Sequence, residues 1–557
     1  MIFSLKKIGS VVLTAFALSS CHFGNVQADM IIHNATIYTM NEDNDIKDAM
    51  AIKDGIIVAI GPEREIMNEY DAPIIYDARK RAIYPGFIDG HCHFLAYGLM
   101  LHDANLVGAE SFEEVVNRVV EYAPTRQSEW IIGRGWDQND WQAQQFPSKD
   151  TLDILFPDTP VYLSRIDGHA ILVNQKALEL AGITGSTTIS GGIIEKNDKG
   201  QLTGVLVDNA MNPVMSVMPE RSREEKIKAL IEAQQKCFEV GLTTLDEAGL
   251  DWRDIDLIDS LQQTGELKMR IYAMLSDNQE NYDVYFERGI DTLNLMLNVR
   301  SFKFYADGAL GSRGACLLNP YEDLLQKGNR EYGMMLKDES YYLNRAQMLY
   351  EMGFQMNTHA IGDSANRVML HIYKEVLEKD NNRRWRIEHA QVVDKNDLYI
   401  FKERNIIPSV QPTHATSDMP WAWLRLGKAR MGRAYAYKEL EAQNGMLALG
   451  TDFPVEGISP INTFYAAVVR KDKSGNPSDG FQVENALSRE SALRGMTIWN
   501  AIANFEEQYK GSLEVGKVAD IVILDRDLMK VGEDNILGSN VDLVVIGGVA
   551  VYERKNY

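Results

Sequence analysis

The stretch Pro85-Gly86-Phe87-Ile88-Asp89-Gly90-His91-Cys92-His93 contains two histidines two residues apart, after the apolar lead-in Ala82-Ile83-Tyr84. Side chains of a strand alternate between its faces, so His91 and His93 are predicted to project side by side from a strand end. Cys92 is predicted to face the other way and pack. Imidazole is the commonest metal-binding side chain. Two ligands do not make a metal site, and two histidines in a polar loop are the alternative until further ligands are found.

Length and composition limit the class of protein. A chain of 557 residues fits a large α/β barrel with a smaller domain, or three modest domains. Hydrophobic residues make up 45% and charged residues 24%, which is typical of a globular protein. A net charge of −22 argues against a nucleic-acid partner, because such binding needs clustered Lys and Arg. Four cysteines without a Cys-x-x-Cys pair are too few for a disulfide framework.

The N-terminus resembles a secretory signal peptide. Lys6-Lys7 precede a mostly apolar run, residues 8–18, which is too short for a stable membrane anchor. Leu18-Ser19-Ser20-Cys21 resembles the bacterial lipobox, in which the cysteine is lipidated and becomes the mature N-terminus; a plain signal peptide with an incidental cysteine is the alternative. We therefore predict a signal peptide at 1–20, a tether at 21–29, and export to the bacterial cell envelope with membrane contact only through a lipid on Cys21.

The middle of the chain alternates strand-like apolar runs with amphipathic helical segments, such as Ser222 to Val240 and Ser364 to Lys379. This alternation predicts parallel β/α units and a TIM-type (β/α)₈ barrel with its active site at the C-terminal strand ends. The eight predicted strands lie at about 83–91, 243–248, 270–276, 300–306, 354–359, 384–389, 406–411 and 446–451. The long interval at about 94–242 is predicted to be an insertion that covers the barrel mouth and forms part of the substrate pocket.

Both ends of the chain are rich in strand-like segments, and an Asp54-Gly55 turn near the start indicates a hairpin. We predict one small β-sandwich domain built from residues 30–82 and 505–557. The barrel domain then occupies residues 83–504, including the insertion.

Several predicted strands end in a candidate ligand. His359 follows the fifth, His389 the sixth and Asp452 the eighth. Taken singly, each histidine is more often a hydrogen-bonded structural residue, and Asp452 is a candidate cap for the next helix. Taken together with His91 and His93, they lie on one rim of one barrel, which favours a metal site.

Lys303 lies inside a largely apolar predicted strand, where an uncompensated ammonium is expensive. We therefore expect a partner, with Asp307 and Glu247 as candidates, or a depressed pKa, or a covalent change.

The order His-x-His, Lys, His, His, Asp resembles the metal-dependent amidohydrolase superfamily, and longer segments resemble its amidohydrolase-3 branch, which includes N-substituted formamide deformylases. These segments span nearly the whole mature chain and are 85–93, Gly133-Arg134-Gly135-Trp136-Asp137, Arg165-Ile166-Asp167-Gly168-His169-Ala170, 303–313, His359-Ala360-Ile361-Gly362-Asp363, Gly450-Thr451-Asp452-Phe453-Pro454 and 511–522.

The resemblance implies six metal ligands: His91, His93, Lys303, His359, His389 and Asp452. His91, His93 and Asp452 would hold the more buried ion, and the other two histidines a second. A carboxylated Lys303 would bridge the two ions, whereas a plain amine implies a mononuclear site. Mixed nitrogen and oxygen ligands suit Zn²⁺, with Fe, Mn or Ni as alternatives.

The implied reaction is hydrolysis of a carbon–nitrogen bond other than a peptide bond, in an amide, formamide or cyclic amide. Metal-activated water attacks, and Asp452 serves as general base and then as general acid. The same site could serve ester or dipeptide hydrolysis, and a metal-containing regulatory or binding protein without turnover is the rival outside enzymes. The expected partner is a small-molecule substrate, and a homo-oligomer is left open.

Candidate substrate contacts lie near predicted strand ends or in the insertion: Trp136, Asp137, His169, Asp307, Arg313 and Gln411, with Asp167 and His414 close to them. Arg313 could orient a carboxylate through a bidentate fork. Trp136, Trp141, Trp421 and Trp423 could line an apolar pocket. Packing, or support of neighbouring site residues, is the alternative for each. His33, His102 and His371 are interpreted as structural or surface histidines.

Overall fold

The structure is a computed structural model, which describes residues 25–126, 128–292 and 294–555. The predicted signal peptide and Cys21 lie outside these residues. In the described ranges, no helix combines the length and the apolar character that crossing a bilayer requires. The three cysteines in these ranges, Cys92, Cys237 and Cys316, are free thiols.

Eight parallel strands follow one another in chain order within one sheet. They are β1 (Phe87–Cys92), β2 (Leu242–Leu250), β3 (Arg270–Ser276), β4 (Leu297–Tyr305), β5 (Gln355–Ala360), β6 (Arg386–His389), β7 (Ile407–Val410) and β8 (Ala448–Leu449). Just beyond β8, the Asp452 amide donates a hydrogen bond to the His91 carbonyl at 2.7 Å, which brings the last strand beside the first. The predicted TIM-type barrel is confirmed.

Helices connect the barrel strands and cover the outside of the sheet. The main ones are Arg223–Glu239, Trp252–Gln263, Gln279–Arg288, Glu339–Met352, Asp363–Val376, Tyr399–Glu403, Tyr437–Asn444 and Pro460–Val469. Shorter ones are Phe94–Met100, Glu322–Leu325, Pro412–Asp418, Ala422–Leu426, Arg489–Gly495 and Ile498–Ala503. The two helices predicted from amphipathic patterns are present, and the first begins with a capping box between Ser222 and Glu225.

The two chain ends form two sheets packed face to face, as a small β-sandwich. One sheet has the order Ile56–Gly61, Ala49–Lys53, Met30–His33 and Ile74–Asp77. The other has the order Val549–Glu553, Val541–Ile546, Ile521–Leu524, Ala82–Pro85, Thr36–Tyr38 and Ile46–Lys47. Ile32 and Ile52 of the first sheet share a buried apolar core with Ile83, Ile521 and Val545 of the second. The helix Glu63–Glu69 and the strand pair Val26–Gln27 with Tyr70–Asp71 complete this region.

The single strand predicted at 83–91 is wrong, because two strands of different sheets share this stretch. Ala82–Pro85 pairs antiparallel with Ile521–Leu524 in the sandwich, while β1 pairs parallel with β2 in the barrel. The chain changes sheet at Gly86, where a Cβ would lie 2.3 Å from Thr243 Oγ1. Glycine therefore permits the close approach of β2, and continuous apolar character on both sides hid the break.

The insertion contains a sheet of its own, with the order Ala104–Asn105, Ile131–Trp136, Val161–Arg165, Ala170–Val173, Leu202–Asp208 and Gly192–Lys196. Its helices are Phe112–Tyr122, Asp150–Leu155, Gln175–Leu180 and Asn212–Met215. The end of this sheet meets the barrel loop after β4, since a Cβ on Gly308 would lie 2.2 Å from an Asp208 carboxylate oxygen. The insertion thus lies against the C-terminal end of the barrel.

Candidate metal centre and substrate cavity

A cavity of about 1060 Å³ lies between the C-terminal ends of the barrel strands and the insertion. Residues that line it include His93, Lys303, His359, His389 and Asp452 of the barrel and His169 of the insertion.

His91, His93 and Asp452 converge at the floor of this cavity. Asp452 Oδ1 lies 3.2 Å from His93 Nε2 and 3.7 Å from His91 Nε2. This oxygen is buried, yet it receives no hydrogen bond of normal geometry from the described residues. A buried carboxylate oxygen without a donor is costly, and a cation between these three side chains would satisfy it. The first and last barrel strands are therefore brought together as predicted.

Two acceptors fix the orientation of the histidines. Glu388 Oε2 lies 2.5 Å from His91 Nδ1, and Gln411 Oε1 lies 2.7 Å from His389 Nδ1. Each oxygen accepts the Nδ1 proton, which leaves the Nε2 lone pair free for a metal. Gln411 therefore supports His389 in this structure and does not line the cavity. Glu388 was not predicted, because its strand, Arg386-Ile387-Glu388-His389, is largely polar and gives its carboxylate no distinctive signal.

Lys303 is fully buried, and its Nζ lies 2.9 Å from His91 Nε2. Neither candidate partner pairs with it. Asp307 accepts three backbone amides from the loops after β4 and β5, and Glu247 accepts amides at the start of the helix Phe94–Met100. Burial lowers the pKa of Lys303 to about 8. The expected depression of its pKa is thus present.

His359 and His414 extend the group of imidazoles. The ring centroids of His359 and His389 lie 4.5 Å apart, and those of His389 and His414 lie 6.0 Å apart. His414 Nε2 is 3.7 Å from Asp452 Oδ2. His414 was predicted to lie near the substrate, and it lies beside the candidate metal centre.

The donor set fits a divalent metal ion. His91, His93 and Asp452 form one group, and His389, His414 and Asp452 another, in which the potential ligand atoms lie within 4.8 Å of one another. Imidazole nitrogen and carboxylate oxygen are ligands that Zn²⁺ and related ions accept. Among the described residues, none donates a hydrogen bond of normal geometry to Asp452 Oδ1, so this oxygen is available to a metal ion.

Asp137 and Asp167 of the insertion line the cavity, but both form ion pairs with another residue of the protein. The buried guanidinium of Arg165 forms short ion pairs with the two carboxylates and donates to Gln138 Oε1 at 2.7 Å. Both carboxylates are therefore engaged by one guanidinium within the cavity wall.

Trp136 and Trp141 do not line the cavity. Their rings pack together in the core of the insertion, with centroids 6.1 Å apart, and each indole N–H donates to a backbone carbonyl. Trp423 is 44% exposed and also lies outside the cavity lining, whereas Trp421 contributes to it.

Arg313 and Asp307 lie outside the cavity lining as well. Arg313 Nη2 forms an ion pair with Asp323 Oδ2 at 2.6 Å, and Asp307 is saturated by backbone amides. The Arg313 guanidinium, which was predicted to bind a carboxylate of the substrate, therefore binds a carboxylate of the protein instead.

His169 does face the cavity. Its ring lies 4.9 Å from that of His359, and its Nδ1 lies 2.7 Å from Asp208 Oδ1. Asp208 was not predicted, because it lies 39 residues from His169 in sequence and reaches it only through the pairing of their strands. The three histidines set aside behave as interpreted: His33 pairs with Glu63, His102 pairs with Glu232, and the His371 side chain is 56% exposed.

Comparison with known proteins agrees with this geometry. The sequence model of the Amidohydrolase family matches residues 75–552. Protein LONG AFTER FAR-RED 3 of Arabidopsis thaliana is 31% identical over 550 residues, which cover 95% of this chain and 92% of that protein. N-substituted formamide deformylase of Arthrobacter pascens is 24% identical over 553 residues, covering 94% and 98% respectively.

A solved structure shows the same architecture. The crystal structure of an uncharacterized metal-dependent hydrolase from Pyrococcus horikoshii OT3 superposes with a TM-score of 0.73 at 26% identity, covering 90% of this chain and 99% of that chain. The resemblance stated from the motifs is confirmed, and it supports a hydrolase of the amidohydrolase superfamily. The chain belongs to the amidohydrolase family.

Proposed function

We propose that the protein hydrolyses a carbon–nitrogen bond other than a peptide bond, in a small amide, formamide or cyclic amide bound in the cavity. The observation that carries this proposal is the convergence of His91, His93 and Asp452 on one unsatisfied carboxylate oxygen at the cavity floor. Similarity over most of the chain to a protein named as an N-substituted formamide deformylase supports the choice of bond.

The proposed metal ligands are those predicted from the motifs. His91, His93 and Asp452 would hold one ion, most simply Zn²⁺, and His359 and His389 a second. Lys303 lies against His91, so carboxylation of its amine would replace a buried cation by an anionic oxygen ligand between the two groups. When bound, the metal supplies Lewis acidity, which polarises a carbonyl and lowers the pKa of coordinated water.

The remaining chemistry belongs to the side chains of this chain. Asp452 is the proposed general base, and it later returns the proton to the leaving nitrogen. Glu388 and Gln411 hold the His91 and His389 rings in one tautomer. The insertion supplies part of the cavity lining, including Arg134, Asp137 and His169.

The test is turnover by the zinc-loaded protein of a panel of formamides, acetamides and cyclic amides, with esters and dipeptides of matched size. Preferential hydrolysis of a non-peptide amide supports the proposal. Preference for the ester or the dipeptide would reassign the bond. No turnover of any member, at full metal occupancy, would favour a binding or regulatory protein.

A further inference from the structure

Arg134 is a cation on the cavity wall for which the described part of the chain supplies no ion-pair partner. It lies on the insertion strand Ile131–Trp136, and its Nη2 donates to the Ile166 carbonyl at 3.0 Å. Its Nε is buried without a partner, and Arg134 makes no ion pair with any residue in the described ranges. A partly buried guanidinium normally finds a carboxylate, because an unsatisfied charged donor is costly.

The other cations of the cavity are engaged or exposed. Arg165 is held between two aspartates, Lys303 lies against His91, and Lys337 and Lys473 are exposed side chains. Among the Lys and Arg residues of the cavity lining, Arg134 is therefore the one that is partly buried and has neither an ion pair nor a contact with a metal-ligand histidine in the described ranges.

The carboxylates of the cavity lining have other partners. Asp452 lies beside His91 and His93, and Asp167 pairs with Arg165. Asp137 pairs with Arg165, Asp208 with His169 and Asp277 with Arg345. The other acidic residues of the lining are Asp140, Asp418 and Glu456, and none of them forms an ion pair with Arg134 within the described ranges.

Space is available beside the guanidinium. Gly168 also lines the cavity, and a Cβ there would lie 3.5 Å from Arg134 Nη1 and 3.6 Å from Nη2. Because this position carries no side chain, a ligand group can approach the nitrogens. Arg134 lines the same cavity as the candidate metal ligands His93 and Asp452.

We propose that Arg134 binds an anionic group of the substrate, and that this group is a carboxylate close to the scissile carbon–nitrogen bond. A planar carboxylate accepts two N–H groups of one guanidinium, which gives orientation as well as affinity. The inference rests on the proposed function, because it names the chemical class of substrate for the same site. It assigns to Arg134 the role that the sequence suggested for Arg313.

The experiment compares two probes that differ only in the carboxylate, N-formylleucine and N-isopentylformamide, on the zinc-loaded full chain. Both kcat/KM and the increase in Tm on ligand addition are measured. For Arg134→Met, kcat/KM and binding of N-formylleucine should fall roughly 10- to 100-fold, the loss expected for a charge-assisted hydrogen bond. The values for N-isopentylformamide should change by less than about threefold, and Arg134→Lys should recover part of the loss, since it keeps the charge without the fork.

Arg313→Met is the matched control, because it removes an arginine that is paired outside the cavity. It should leave the ratio between the two probes unchanged. Equal losses for both probes in Arg134→Met would show a purely structural role through the Ile166 carbonyl and would overturn the inference. So would a wild-type protein that does not distinguish the probes. If neither formamide is hydrolysed but N-formylleucine still binds through Arg134, the inference stands and the proposed bond fails.

Discussion

Asp452 is the residue on which the chemistry of the site depends. Its Oδ1 faces His91 and His93 and receives no hydrogen bond of normal geometry from the residues that the structure describes. Gly450, two residues earlier, lies against the His91 backbone. The carboxylate is therefore held where a metal ligand and a proton acceptor are both needed.

Asp452→Asn keeps the shape of the side chain and removes its basicity. We expect kcat to fall by a factor on the order of 10² to 10⁴, the contribution typical of a general base, while bound zinc is largely retained. Parallel kinetics and elemental analysis check this. Asp140→Asn, a change to a more exposed aspartate of the same cavity, is the control and should have little effect on either quantity. Undiminished turnover in Asp452→Asn would exclude Asp452 as the base.

Gln411 acts through His389. Replacement by Leu removes the oxygen that accepts the Nδ1 proton, so the ring can rotate and change tautomer. We expect metal affinity at the His359–His389 side to fall roughly 10- to 100-fold, the usual cost of losing such a support. Zinc competition with a chromogenic chelator measures it. Gln391→Leu, in which the lost partners are Asp418 and Tyr435, should leave the affinity unchanged; equal effects of the two variants would argue against the assigned role.

That His91, His93 and Asp452 come together could be predicted from the sequence, because each lies at the end of a recognisable strand. The acidic residues that contact the histidines of the site could not be predicted in this way. Glu388 and Asp208 are ordinary acidic residues in sequence, and only the closure of the barrel and the docking of the insertion bring them to a histidine. Trp136 and Arg313 fit substrate roles by chemical type, but the fold uses one in a core and the other in an ion pair.

At the scale of elements, the barrel and the sandwich are joined by Arg270 at the start of β3. Its Nε and Nη2 donate to the two Asp520 carboxylate oxygens at 2.6 and 2.9 Å, and both side chains are buried. Asp520 also precedes the sandwich strand that pairs with Ala82–Pro85. This pair fixes the position at which the chain passes between the two sheets.

Arg270→Met should destabilise the protein by about 3–5 kcal/mol, because it leaves a buried carboxylate without its partner. Thermal or urea unfolding of the zinc-loaded protein measures the change. Arg253→Met removes an exposed ion pair with Glu280 and serves as the control, with no appreciable shift expected. Equal stability of the two variants would contradict the structural role of Arg270.

The order of strands and helices along the barrel could be predicted best, because hydrophobic periodicity and the alternation of strands with helices can be read from short stretches of sequence. Seven of the eight predicted barrel strands overlap the observed ones closely. The exception is the first, predicted at 83–91, which is divided at Gly86 between two sheets. That failure has a physical cause. The switch between sheets depends on the close approach of Thr243, a contact between distant parts of the chain that local sequence does not encode.

At the scale of the whole molecule, we propose that the protein is exported and carries a lipid on Cys21. Expression of the full chain in a bacterium, with a radiolabelled fatty acid and membrane fractionation, tests this proposal. Cys21→Ser should abolish labelling and release the protein from the membrane fraction. Cys237→Ser, a change to a buried thiol of the barrel, should leave labelling intact. An unlabelled wild-type protein in the cytosol would contradict the proposal.

The central claim is that the barrel histidines and Asp452 form a metal-dependent hydrolytic centre. Its most direct test is a zinc titration of the chelator-treated protein, with turnover of the best amide from the panel as the readout and His91→Ala as the matched variant. We predict that the metal-free wild type is inactive, that activity returns in proportion to zinc and saturates at one or two equivalents per chain, and that His91→Ala recovers none. Full activity of the metal-free protein, or equal recovery in His91→Ala, would contradict the claim.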